Sequence, residues 1–456
     1  MKNKKKEMSK SRKIKVTNIL LFLLLIGISA FVIFRISLNS KLTNKFEAIR
    51  AAGEPVTFEE LNEFYSIPID VENSAYIILD AVTYYNEPNE LNLLPVIGKA
   101  ELPADTDTMG EETKNIISKF LANNKKSLEL LHSTAGLEYG RYPVDFTQGA
   151  GTILPHISEI RKCVQMLQLE SVLAAENNEP NISFEDYKSI CSIARSLEKE
   201  PAMISQLVRN AYNVITLSSL EYSMNRVNFT DKQLEEMENL LNEMSNSNGM
   251  QNAMFGERCM SLDLILNPNP SYFSMSSAKT NTLWSLPPVL FLYKAIGLNR
   301  KDALKGLSIT EDAIKILNLP IEQRYNAAKA LNGEISNIPK NNVLLRQFIP
   351  VYGNCITSDL RNITQLNIGQ VAIAIERYRL KNNKLPDSLD KIVPDYIDSI
   401  PLDPYDGKEL RYKKLDKGFV VYSIGEDQID DGGKEKPEKN KESRDSTYDI
   451  TFIIKK

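Results

Sequence analysis

From Val16 to Phe34 the chain reads VTNILLFLLLIGISAFVIF, without a single charge. Wound as a helix at 1.5 Å per residue, such a run covers the hydrocarbon core of a bilayer, about 30 Å. It constrains the chain more than any other feature, because no water-filled setting accommodates that many exposed apolar side chains on one helix. We read residues 16–36 as a transmembrane anchor. Ahead of it, Lys2, Lys4, Lys5, Lys6, Lys10, Arg12, Lys13 and Lys15 face one acid, Glu7, while only Arg35, Lys41 and Lys45 follow closely. This bias puts residues 1–15, a basic tail, in the cytoplasm and exports the rest of a single-pass protein of the inner (cytoplasmic) membrane. A cleaved signal peptide is the rival, since Gly27 and Ser29 are small, but the apolar run exceeds the usual core of 7 to 15 residues.

Removing the +7 of the tail from the net charge of −4 leaves −11 on the exported body. Phosphate backbones require basic clusters, so no nucleic-acid partner is expected. Cys163, Cys191, Cys259 and Cys355 are widely spaced, which fits buried free thiols better than a zinc framework. A second apolar stretch, Leu283 to Gly297, is short, broken by Pro287 and Pro288 and carries Lys294. It reads as a buried or membrane-facing helix and not as another crossing.

The length of 456 residues predicts more than one domain. Residues 37–360 read as an extracytoplasmic helical domain. Thr57 stands three residues before Glu60 and Thr230 three before Gln233, the spacing of a capping box at a helix start. Ile157, Ile160, Val164, Leu167 and Val172 form a stripe at helical spacing, and Pro201 suits the first turn of the next helix. Breakers around Pro180, Gly249, Pro268, Pro270 and Pro339 separate the helices, and no fixed repeat appears. An irregular antiparallel bundle is expected.

Chemistry is sparse in this body. The two histidines, His132 and His156, belong to no HExxH pair, and neither a GxSxG elbow nor a GxxxxGK[ST] loop is present. The least helical stretch, Tyr139 to His156, gathers Arg141, Asp145 and His156 among glycines. An exported enzyme acting on an envelope polymer would use these three. The simpler reading pairs Arg141 with Asp145 to hold the loop. The segments from Ala48 to Tyr65 and from Arg141 to Arg161 also resemble the body of uncharacterised membrane-anchored bacterial proteins, which supplies a layout and no activity.

Past Cys355 the pattern changes. A last helix runs to about Asn383, then Leu410 and Tyr412 alternate, LDKG turns, and Phe419, Val421 and Ser423 complete a hairpin with one face buried. TYDITFII supplies a third strand. The fold class is therefore mainly α: a transmembrane helix, an irregular helical body and, in residues 361–456, an α+β domain of helix plus small antiparallel sheet.

The order Leu385-Pro386, Ile400-Pro401-Leu402-Asp403-Pro404-Tyr405-Asp406-Gly407, Arg411-Tyr412, Phe419 to Gly425, Asp427, Gly432-Gly433 and Asp449-Ile450 resembles the C-terminal domain of the major pseudopilin (protein G) of type II secretion systems. The resemblance covers roughly the last hundred residues. It implies calcium in the loop after Gly425, with Asp427 and Asp449 as ligands and Asp430 and Asp431 as additions, a set calcium accepts together with backbone carbonyls. Gln428 stands where that family usually has glycine. An EF-hand count from Asp427 to Glu438 fails, because Ile429 falls on a ligand position.

These readings converge on a non-enzymatic, membrane-anchored envelope protein with an interaction or secretion-associated module, possible protein partners in the envelope or secretion machinery, and calcium in its last domain. A substrate-binding module would differ by holding a closed pocket in the helical body.

Overall fold

The computed structural model describes residues 2–104, 107–269, 287–435 and 447–456. Pro270, Leu283 to Leu286, Glu438 and most of the insertion before Asp449 lie outside the described residues. Helix α1, Lys2–Ala51, contains the apolar run. It is the one helix among the described residues long and apolar enough to cross a membrane. Its apolar side chains are exposed through Ile36, and burial begins at Leu38, Leu42 and Ile49, which share one helical face.

The helices that follow are α2 (Phe58–Phe64), α3 (Ser74–Thr83), α4 (Glu111–Asn123), α5 (Lys125–His132), α6 (His156–Glu176), α7 (Pro180–Ser196), α8 (Met203–Met224), α9 (Asp231–Ser245) and α10 (Gly249–Leu266). After the undescribed segment come α11 (Pro287–Ile296), α12 (Leu298–Leu317), α13 (Ile321–Ser336), α14 (Val343–Phe348) and α15 (Tyr352–Asn382). Thr230 caps α9 in a full capping box with Gln233, as its spacing predicts, and α2 starts directly after Thr57. Pro201 lies two residues ahead of α8, outside its first turn.

Two compact units divide the chain. One comprises residues 1–57, 258–308 and 338–349, and the other 58–257, 309–337 and 350–456. In the first, Arg258 is fully buried, its guanidinium bonded to Glu54 (2.7 Å) and to the Pro55 carbonyl. Asp302 accepts from Asn342, Tyr293 and the N–H groups of Leu344 and Leu345, which fixes the start of α14.

In the second unit α6 and α7 pack as a hairpin, α8 lies on both, and α15 packs against α9, α13 and α8. The boundary expected at residue 360 falls inside α15, which begins eight residues earlier at Tyr352. Its core face runs unbroken from Tyr352 and Ile356 through Leu360 to Ile375, so no composition change marks a seam. The C-terminal strands β1 (Arg411–Lys414), β2 (Phe419–Ser423) and β3 (Ile450–Ile454) form the expected antiparallel sheet in the order β1-β2-β3. Arg411 pairs with Tyr422 and Lys414 with Phe419, as the LDKG turn predicts.

Strand β2 is buried on both faces, not one. Phe419 and Val421 alternate onto the face packed on α15, whereas Val420, Tyr422 and Ile453 cluster on the other with Leu415. Gly433 covers that outer face: its φ is +80°, and a Cβ there would come within 2.9 Å of Val420. The acidic loop is thus a lid over the sheet, a role that alternation alone does not reveal.

Candidate functional site

Asp427, Asp430 and Asp431 are near one another in sequence and Asp449 follows 18 residues after Asp431, but no three of the four bring oxygens within 4.8 Å of one another. Asp427 accepts the N–H of Ile429 (3.1 Å). Asp430 accepts from Gly432 N–H and from Arg411. Asp431 accepts the Thr447 hydroxyl (2.9 Å). Asp449, buried, takes the N–H groups of Gly433 (2.7 Å) and Asp431 (3.4 Å). These carboxylates are thus held by loop N–H groups, the Thr447 hydroxyl and Arg411, while Asp431 Oδ2 is buried without a hydrogen-bond partner. Gln428 adopts φ +61°, the left-handed conformation glycine enters freely, and its side-chain amide donates to the Tyr405 carbonyl. The Pro-Leu-Asp-Pro-Tyr-Asp-Gly stretch has a structural explanation. Asp403 is fully buried and accepts from Tyr405 N–H, Ile424 N–H, the Ser423 hydroxyl and Arg411, whose guanidinium also binds Asp406.

Arg141, Asp145 and His156 do not assemble either, and the expected Arg141–Asp145 pair is not formed. Arg141 donates to the Tyr65 carbonyl and lies over the Tyr65 ring. Asp145, exposed, caps the turn at Thr147 and accepts from Gln148; these hydrogen bonds hold its carboxyl below the usual range. His156 is buried, stacked on Tyr142 at 4.3 Å, with Nε2 3.0 Å from the fully buried carboxylate of Glu200. Glu200 also accepts the hydroxyls of Tyr65 and Ser205. This is an interior network with every oxygen engaged, sealed from any substrate.

A different constellation faces an open cavity. Between α7, α8, α9 and the Tyr139-Gly140 strand of loop lies a pocket of about 360 Å³, within the size range of small-molecule sites. Its wall includes Arg209 and Asn213 of α8, only 3% and 1% exposed. They are four residues apart and share one helical face. Neither makes a side-chain hydrogen bond among the described residues: Arg209 Nε and both polar atoms of Asn213 are orphaned. Burial pushes the Arg209 guanidinium below its ordinary value, with Glu198 and Asp359 opposing from beyond ion-pair distance. Leaving such a charge unpaired in the interior costs several kcal/mol, and orphaned buried amides add to it.

Neighbouring features hold the arrangement open. Gln206, one turn before Arg209, donates through Nε2 to the carbonyls of Leu197 (2.7 Å) and Glu200 (2.9 Å), pinning the loop between α7 and α8. At Gly249 a Cβ would sit 2.2 Å from Gln206 Oε1 and 3.0 Å from Arg209 Nη2, so the start of α10 approaches as only glycine permits. Gly140 presses equally closely on Ser196. At the mouth, Arg195 is paired with Glu243, and Lys199 lies over the Tyr139 ring at 4.8 Å.

The sequence contained a signal for this pocket: Gln206, Arg209 and Asn213 recur at helical spacing on the same face that buries Thr216, Leu217 and Leu220. Polar residues in a core stripe mark either a network or a site. Three of the cysteines are buried and Cys355 is half-buried; burial pushes the Cys163 and Cys191 thiols up to about 12 and Cys355 to about 11. Comparison with known proteins finds no family model, no curated protein and no solved structure that matches the chain.

Proposed function

We propose that the chain is a single-pass, membrane-tethered, non-enzymatic binding protein whose helical body takes a small anion-bearing molecule in the Arg209 pocket. One observation carries this reading: a guanidinium almost fully buried beside a cavity with no hydrogen-bond or ion-pair partner, accompanied by an amide in the same condition. A carboxylate or phosphate entering the pocket would give Arg209 the charge-assisted, two-pronged contact its fork is shaped for. Asn213 would supply a donor and an acceptor to fix orientation. The lining also carries Glu138, Glu198 and Glu243, the last paired with Arg195, so the anion is taken at the Arg209 and Asn213 side of the cavity.

The tether is Val16 to Phe34, with the basic tail in the cytoplasm and the body outside. Helix α11 supports the same reading. Arg35, the first charge after the apolar run, donates to the Lys294 carbonyl (3.1 Å), which fixes α11 at the level where the run ends. There Phe291 and Leu292 are 75% and 59% exposed, as expected of side chains dipping into the lipid interface.

Detergent-solubilised full-length protein titrated with phosphate, citrate and short dicarboxylates tests the proposal by calorimetry and thermal melts. Saturable binding by at least one of these anions, lost in Arg209→Met, is expected. If none binds, and Arg209→Met also lowers the melting temperature, the pocket is a structural feature and the proposal falls.

A further inference from the structure

Among the described residues, one group of metal-type ligand atoms converges: His132 Nε2, a Glu170 carboxylate oxygen and an Asp186 carboxylate oxygen, all within 4.8 Å of one another. They come from three helices, the last residue of α5, the middle of α6 and the first half of α7. Nε2 is 3.0 Å from Glu170 Oε2 and 3.0 Å from Asp186 Oδ1. A ring nitrogen carries one proton and can satisfy one of these oxygens, so two carboxylates compete for a single donor. The assigned hydrogen bond goes to Asp186; Glu170 Oε2, at the same distance from Nε2, and the second oxygen of Asp186 are buried without a hydrogen-bond partner. Asp186 is completely buried, and among the described residues no lysine or arginine pairs with either carboxylate. The cluster therefore sets two carboxyl groups against one imidazole, with one oxygen of each lacking a hydrogen-bond partner, an arrangement that an ion between the three groups would complete.

We propose that His132, Glu170 and Asp186 form a binding site for one divalent first-row transition ion, of the Mn²⁺ or Zn²⁺ class. An imidazole ligand directs the site away from calcium and magnesium, which prefer oxygen alone. Ligand bonds of about 2.1 Å at right angles place neighbouring ligand atoms about 3.0 Å apart, the spacing seen from Nε2 to both oxygens. The three groups then occupy one face of a six-coordinate ion. Asp186 can use both oxygens, which removes its orphan, and Glu170 gains the partner it lacks. His132 and Glu170 side chains are 31% and 19% exposed, giving the ion a route in and leaving its other positions to water. This site is separate from the Arg209 pocket and does not depend on it.

The test uses full-length protein stripped with chelator, in detergent. Titration with Mn²⁺ and with Zn²⁺ is expected to load one equivalent of ion and to raise the melting temperature relative to chelator, with no such rise from Ca²⁺. Glu170→Gln, at the most accessible carboxylate, and Asp186→Asn are each expected to weaken binding tenfold or more. Circular dichroism of the stripped variants establishes that each is folded; if Asp186→Asn is not, Glu170→Gln alone decides. Absence of saturable Mn²⁺ or Zn²⁺ binding overturns the proposal and leaves the cluster as an ion pair tying three helices. Binding that survives in Glu170→Gln also overturns it, since the ion then sits elsewhere.

Discussion

Replacing Arg209 by methionine should make the empty protein more stable while abolishing its ligand response. Methionine matches the arginine stem in length, carries no charge and adapts to irregular space. In the unliganded fold the guanidinium gains no ion pair and no side-chain hydrogen bond, yet it is almost completely removed from water. Exchanging buried ions for apolar residues of similar volume is often neutral or stabilising by about 1–4 kcal/mol. Glu198 and Asp359 act on Arg209 from a distance and offset part of the desolvation, so the lower part of that range applies, a gain of about 1–2 kcal/mol. For a protein of this size that corresponds to a melting shift of about 1–2 °C upward. Scanning fluorimetry of both proteins, with and without the best-binding anion, reads both halves of the prediction. Wild type should rise with anion and Arg209→Met should start higher and not move. A variant that melts lower than wild type by more than a few degrees would refute the reasoning, because the guanidinium would then be holding the fold together.

Asp403→Ala removes the acceptor shared by two backbone N–H groups, a hydroxyl and Arg411, and is expected to cost about 3–5 kcal/mol, read as a lower urea midpoint. A loss below about 1 kcal/mol would show that Arg411 repairs itself on Asp406 and Asp430. Glu221 and Glu257 are pushed up to about 7 by burial, from 4.5. The folded state then holds protons that the unfolded state has released, so their contribution is present in full below about pH 4.5 and is lost as pH rises through 7. Stability measured between pH 5 and 7.5 should fall more steeply for wild type than for Glu221→Gln; equal slopes would remove Glu221 from the account. Phe291→Asp with Leu292→Asp should reduce liposome binding of a chain lacking residues 1–36, and unchanged binding would mean α11 does not meet lipid. Millimolar calcium should leave the melt unmoved, since Asp449 is already satisfied by two N–H groups. A saturable rise abolished by Asp449→Ala would instead assign the loop as a calcium site.

Local pattern made the long apolar helix, the Thr230 cap, the stripe on α6 and the hairpin register readable, because each depends on residues a few positions apart. What resisted reading depends on distant chain segments meeting. The Arg209 pocket joins Tyr139 and Arg195 to a polar stripe on α8, of which spacing marks the stripe and not what it meets, and the candidate ion site joins residues 132, 170 and 186, with no spacing to announce it. Arg141, Asp145 and His156 drew notice by crowding in one irregular stretch, yet the fold sends the first to a carbonyl, the second to a turn and the third into the interior. The real partner of His156 is Glu200, 44 residues away. Burial of β2 on both faces was equally hidden, since the covering piece, Gly433, belongs to a loop whose composition suggests solvent.

Helix α1 does not stop where the apolar run stops. It continues to Ala51, and along this stretch Leu38, Leu42 and Ile49 are already seated in the first compact unit. Seventeen residues of helix beyond Phe34 extend about 25 Å, and they do so as a rod, where a coil of equal length would let its cargo drift and tumble. With the apolar run in a bilayer, as proposed, the unit would take its bearing from the lipid: tilt the span, and the attached unit tilts with it. Lipid thickness, which sets how far a span must lean, would then be felt as a change in which side of that unit looks toward the membrane.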